Sequence, residues 1–394
     1  MGVRPLLLGV VLVSGLLASA CSADTPAPAV TSSEPSEASR PPGEDPRPLS
    51  WEPVPLPADL SAVTLTSNDD SVLVGAYGPG RPRPHLLTGT GSGQWRELGL
   101  TPRSGYAFEG RWFQVATRAG RIDAVAGARG GAHGNYRWTT WSGTADSVAE
   151  QEQPFGVFGS YGAGDLVGLA YAAGSPVILG AWQSERTGLD IATWTRTGSR
   201  WARQTSTGTP LGSTPQLLVS ATAITSAGEG LMLSGSVTRL APGSVRVDPA
   251  VWTSPDADGP WTRIDLPRRQ GGTDAALAHA ATCSEHRCLV SGVVGGKLAT
   301  WEVVGTSATQ LDGIPDVVVP ESATALAPLL LGDGVLVIAP SDRGSSVLRR
   351  SGSRWSVAAG PVGSPASAVV HGDGVWVVTT DVQGDGTLWR SRVA

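Results

Sequence analysis

The chain has 394 residues, a formal charge of −5, only 16% charged residues, and Lys297 as its single lysine. That balance leaves no basic footprint for nucleic acid, and five scattered histidines show no metal-ligand spacing, so neither a metal nor a cofactor is expected. The length allows one large core or several small ones.

Arg4 supplies a short positive region and Leu6 to Ala18 an apolar one, so residues 1–20 read as an export signal and stand outside the fold. The apolar run falls short of the roughly 20 residues that span a bilayer. Ala18-Ser19-Ala20-Cys21 follows, and small residues directly before a cysteine resemble the lipobox of bacterial lipoproteins. Ala18 stands where that family usually has Leu. The resemblance implies cleavage before Cys21, acylation of Cys21 and attachment to the outer face of the bacterial cytoplasmic membrane. Acyl chains hold at about 0.8 kcal/mol per buried methylene. The other reading is an ordinary secretory signal with an incidental cysteine. Residues 21–48 are rich in Pro, Ser, Ala and Glu and lack aromatic residues, which predicts a disordered tether with a reach of roughly 30 Å.

From residue 49 onward one pattern returns about every fifty residues. An apolar run, usually closed by Gly, is followed by a loop, a strand often carrying Trp, and a Gly/Ser turn. The runs are Ser71–Gly75, Asp123–Gly127, Pro176–Gly180, Leu231–Gly235, Cys288–Gly292, Val335–Ile338 and Val375–Val378. Apolar first strands precede them, for example Ala62–Leu65, Asp165–Leu169 and Ala323–Ala327. Third strands carry Trp141, Trp194, Trp252, Trp301 and Trp389, with Leu86-Leu87 and Val347-Leu348 in the other two repeats; fourth strands begin near Trp95, Trp201, Trp261 and Trp355. The last repeat reaches the C-terminus without a fourth strand, and Trp51–Pro57 is a spare one at the other end. The expectation is an all-β, seven-bladed β-propeller over 49–394, with six or eight blades as alternatives. The N-terminal strand at 49–57 completes the last blade, and closure removes an open sheet edge. Pro53, Pro55 and Pro57 suit an outermost strand because they donate nothing to a ladder.

Between two strand-like runs lies Cys283-Ser-Glu-His-Arg-Cys288, which reads as a hairpin closed by a disulfide. The chain-entropy model assigns such a short loop roughly 2 kcal/mol. A metal site built from both thiols and His286 is the alternative, and it lacks an obvious fourth ligand. Gly332-Asp-Gly334 and Gly372-Asp-Gly374 read as hairpin turns.

Ser254-Pro-Asp256-Ala-Asp258-Gly-Pro-Trp261 is similar to the Asp-box of sialidase-like propellers, Ser-x-Asp-x-Gly-x-x-Trp, with Asp258 where the motif has Gly. Eroded copies end at Trp95, Trp201 and Trp355. The resemblance implies fold, since these boxes are structural turns remote from any catalytic face. Gly130-Gly131, Tyr136 and Trp141 have a slight likeness to a kelch repeat.

A sialidase of that superfamily needs three arginines, a Tyr–Glu pair and an acid, and no such constellation is assignable among the five tyrosines. A sialidase-like or other glycoside hydrolase is therefore the alternative to a binding scaffold. Loops joining second to third strands, and one blade to the next, share a face. They carry Arg81, Arg83, Arg129, His133, Phe155, Phe158, Tyr161, Trp182, Arg186 and Arg239, with Arg268-Arg269 beside them. Aromatics beside arginine suit stacking on sugars and pairing with carboxylate or phosphate. The expected ligand of this face is a protein partner or an anionic cell-envelope glycan, bound by a monomer.

Overall fold

The structure, a computed structural model, describes residues 48–90, 94–131, 134–268, 274–332 and 334–393. The expected export signal 1–20, the acylated Cys21, the tether as far as residue 47, His133 and Arg269 lie outside the described residues. Among the described residues there are seven sheets, each built on an antiparallel meander and each one blade of a β-propeller. Blade 1 holds Ser61–Asn68, Ser71–Tyr77, Pro84–Gly89 and Arg96–Glu97; blade 2 holds Arg111–Arg118, Arg121–Gly130, Asn135–Thr144 and Ser147–Glu150. Blade 3 comprises Ala163–Ala172, Ser175–Gln183, Leu189–Thr197 and Arg200–Arg203, and blade 4 Leu217–Ala227, Gly230–Ala241, Ser244–Ser254 and Thr262–Asp265. Blade 5 runs through Ala276–Cys283, Cys288–Val294, Lys297–Val304 and Ser307–Gln310, and blade 6 through Leu329–Leu331, Gly334–Ser341, Gly344–Ser351 and Arg354–Ala359. Blade 7 joins Ser364–His371, Gly374–Thr380 and Gly386–Arg392 to the N-terminal strand Glu52–Pro53. The ring is thus closed by the two ends of the propeller, with Glu52 opposite Arg390 and Pro53 opposite Trp389.

A lone blade cannot bury its faces, and the core accordingly divides into seven apolar layers, one between each pair of neighbours. The recurring tryptophans do more than fill these layers. The indole N–H groups of Trp194, Trp252 and Trp301 donate to the carbonyls of Val157, Pro210 and Pro267, each in the crossover that enters the blade carrying the tryptophan. Trp95 and Trp355 do the same with Pro55 and Asp312. Each bond ties a crossover to its blade for about 1 kcal/mol net.

Glycine closes the second-strand runs for a steric reason. In blades 1, 3, 4 and 5 the first strand bulges beside Gly75, Gly180, Gly235 and Gly292. A Cβ at Gly235 would lie 2.0 Å from the Ser220 carbonyl, and one at Gly292 would lie 2.1 Å from that of Leu277. Innermost strands are then stitched across blades by side chains. Gln114 exchanges two hydrogen bonds with the Leu169 backbone, Ser226 two with Tyr171, and Ser367 two with Leu65.

Blade 6 departs from expectation. Ala323–Ala327 forms no strand, and only Leu329–Leu331 does. The Ala325 N–H donates to His279 Nδ1 at 2.9 Å, and the Leu326 carbonyl accepts from Ser291 Oγ at 2.7 Å. Blade 5 side chains therefore hold these two groups, while the Leu326 N–H pairs within blade 6, with the Ile338 carbonyl at 3.2 Å. Two small elements have no counterpart in the sequence reading: the strand Gly99–Thr101, parallel to Ser147–Glu150, and the short helix Gly105–Glu109. Cys283 and Cys288 are disulfide-bonded across the first hairpin of blade 5, with Cα atoms 4.0 Å apart.

Candidate functional site

Strand direction defines two faces. Second-to-third-strand turns and interblade crossovers form the loop face; the remaining hairpins form the turn face, where residue 48 enters ahead of Glu52–Pro53. The nine candidate residues that are described belong to loop-face segments; His133 lies outside the described residues.

Arg81 and Arg83 sit at the tip of blade 1, and both face Glu109 at the end of the short helix, at 3.7 and 3.6 Å. Arg83 also donates to the Tyr77 hydroxyl at 2.8 Å, while its guanidinium and that of Arg111 lie 5.4 and 5.9 Å from the Tyr77 ring centre. Arg129 is exposed and directly opposite Tyr136 in the ladder. Burial pushes the Tyr136 phenol above its ordinary pKa, against an opposing pull from Arg111 and Arg129, so it stays a neutral hydroxyl.

Next to this cluster, between blades 2 and 3, is an open cleft of about 420 Å³. Its walls include Tyr106, Tyr136, Arg137, Trp138, Phe155 and Glu152. The Arg137 guanidinium stacks 4.5 Å from the Phe155 ring centre and makes no ion pair among the described residues. Tyr136 and Trp138 meet at 4.5 Å, and Phe113 meets Trp138 edge-on at 5.3 Å. Glu150 holds the wall together. Its carboxylate accepts from the Arg103 N–H, the Ser104 N–H and the Ser104 hydroxyl at 2.6, 2.7 and 2.6 Å, and Ser104 caps the helix that carries Tyr106. With three donors on it, Glu150 positions the loop.

The other candidates separate from this cleft to different degrees. Phe155 is 56% exposed at its rim, whereas Phe158 is 6% exposed and packs on Trp194 and Trp201. Trp182 is half-buried in blade 3 beneath the Arg203 guanidinium at 4.7 Å; Arg186 is exposed, and so is Tyr161. Arg239 lies in blade 4, where it bridges Asp248 at 3.3 Å and Asp265 at 2.5 Å, alongside Arg246 and Arg268 on Asp248. Tyr106, Arg137 and Trp138 were not singled out as site residues. The alternation Tyr136-x-Trp138 at the start of a third strand is the signal that would have found two of the cleft's aromatic walls.

No family model matches the chain, and no curated protein matches it. Solved structures do. The polysaccharide lyase Uly1 aligns with a TM-score of 0.50 at 9% identity, over 84% of this chain and 90% of that one. The β-propeller domain of the Trilobed protease from Pyrococcus furiosus, described as having an open velcro topology, aligns with a TM-score of 0.52 at 7% identity, over 86% and 94%. A Trypanosoma rangeli sialidase in complex with sialic acid aligns with a TM-score of 0.44 at 10% identity, over 85% and 54%. At such identities the likeness is one of fold, and the fold is the β-propeller.

Proposed function

We propose that this chain is an exported, lipid-anchored binding scaffold whose loop face takes up a sugar chain. The observation that carries this reading is the cleft between blades 2 and 3, with Tyr106, Tyr136, Trp138 and Phe155 around Arg137, which makes no ion pair among the described residues. Flat aromatic rings suit the apolar faces of pyranose rings, and a guanidinium without an ion-pair partner suits hydroxyl or acid oxygens. The small residues before Cys21 support lipidation and a place on the outer face of the cytoplasmic membrane. Residue 48 enters on the turn face, so the cleft belongs to the face opposite the incoming chain. Ser254 and Asp256, which bond the backbone of the turn before Trp261, support kinship with Asp-box propellers.

The test is a glycan array probed with the full chain and with Phe155→Ala, an exposed position whose loss leaves the core intact. Binding to a defined glycan class, weakened about tenfold in the variant, is the expected result. Silence on the array together with capture of a specific protein would replace the sugar with a protein partner. Cleavage of the bound glycan would make the protein a hydrolase.

A further inference from the structure

We infer that the sugar chain continues past the cleft onto a second stacking position at Tyr161, so that longer members of the bound class are held more tightly than short ones. This rests on the glycan-binding reading above. Tyr161 is 91% exposed and has no hydrogen bond or ring contact among the described residues. Burial therefore contributes nothing to keeping an aromatic ring there. The backbone nevertheless holds it out: Ser160 has φ +85° and Gly162 φ +96°, one on each side of the tyrosine. A non-glycine residue in that region costs about 1 kcal/mol or more.

The turn is fixed as well as strained. Ala163 N–H donates to the Ser160 carbonyl at 3.3 Å, and Gln183 N–H to that of Gly162 at 2.7 Å. A Cβ at Gly162 would lie 3.1 Å from Gln183 and 3.3 Å from the Trp182 indole, so only glycine fits against blade 3.

Tyr161 also has a built-in relationship to the cleft. Phe155 at the cleft rim and Tyr161 belong to one crossover, with Phe158 between them sunk into the core against Trp194 and Trp201. Six residues bound their Cα separation at roughly 20 Å. A chain of several sugar units is long enough to span that distance from the cleft rim to Tyr161. Trp182, lying under Arg203 beside Gly162, flanks the second position.

The experiment probes an array presenting each glycan at several chain lengths with the full chain, Tyr161→Ala and Phe155→Ala. Wild-type affinity should rise about five- to tenfold from short to long members of the bound class. Tyr161→Ala should abolish that rise and leave short-chain binding and thermal stability unchanged, whereas Phe155→Ala should weaken both lengths. Affinity independent of length, or a length gain that survives Tyr161→Ala, overturns the second position while leaving the cleft standing. Wild-type silence across the array removes the glycan reading and this inference with it.

Discussion

Pro53 lies directly opposite Trp389, and the next residue's amide, Val54 N–H, donates to the Leu388 carbonyl at 2.8 Å. This short contact joins the two ends of the ring. Side chains reinforce it on both sides: Leu49 and Trp51 pack on the blade 6–blade 7 layer, and Val54 and Leu56 on the blade 7–blade 1 layer. Removing residues 1–57 should therefore cost about 4 kcal/mol from lost apolar burial and expose the edge of Gly386–Arg392 to intermolecular pairing. Removing 1–47 should do neither. Size-exclusion chromatography and thermal melts of the two truncations check the pair of outcomes; equal behaviour would mean the N-terminal strand is dispensable.

Gly235 and Gly292 should not tolerate alanine. The added methyl meets a carbonyl oxygen at 2.0 or 2.1 Å in the bulged neighbouring strand, and the bulge must move to admit it. A loss of about 3 kcal/mol is expected for either variant. A methyl at Gly198 meets nothing within 4 Å, and its positive φ predicts a cost nearer about 1 kcal/mol. Chemical denaturation of the three variants ranks them.

His279 should give the fold an acid limb. Burial lowers its pKa from the ordinary 6.5 to about 4, and Nδ1 must be unprotonated to accept from Ala325 N–H. Between those two values the unfolded chain binds a proton that the folded chain refuses, so stability is full above pH 6.5 and falls as pH drops toward 4. The whole window amounts to about 3 kcal/mol. Denaturation midpoints across that range should slope in the wild type and flatten in His279→Leu, which is less stable at neutral pH because Ala325 N–H loses its acceptor. An unchanged slope in the variant would assign the acid limb to other groups.

The arginines should divide into two classes. Arg81 faces Glu109 and Arg239 bridges Asp248 and Asp265, so replacing either by Gln should leave glycan affinity within about twofold. Arg137→Gln should weaken it about tenfold, because that guanidinium has no carboxylate of its own among the described residues. Calorimetric titration with the glycan selected by the array separates the two classes.

Much of the ring was legible because blade-forming residues carry their constraint locally. An apolar run ending in glycine marks the second strand and the bulge beside it, and a tryptophan marks the strand that binds the incoming crossover. Ala323–Ala327 misled because its composition is that of a strand, whereas the Ala325 N–H and the Leu326 carbonyl are taken by side chains more than thirty residues away, and the Leu326 N–H makes a lone bond to the Ile338 carbonyl. Gly99–Thr101 offers three residues without a period, and its pairing is tertiary. The site was less legible for the same reason. Nothing near Arg239 announces Asp265, and nothing near Phe158 shows that its crossover dips into the Trp194 layer while Tyr161, three residues on, is held in solvent.

The most direct test of the central claim, that the loop face binds envelope carbohydrate through the cleft between blades 2 and 3, is co-sedimentation of the protein, with Cys21 replaced by Ser to exclude the proposed acylation, with the insoluble envelope fraction of its own cells. The wild-type face should sediment in a saturable manner, with free glycan of the bound class competing it off, and the Phe155→Ala/Arg137→Gln double variant should need at least about tenfold more envelope to reach half-saturation. A double variant that sediments as the parent does would contradict the account.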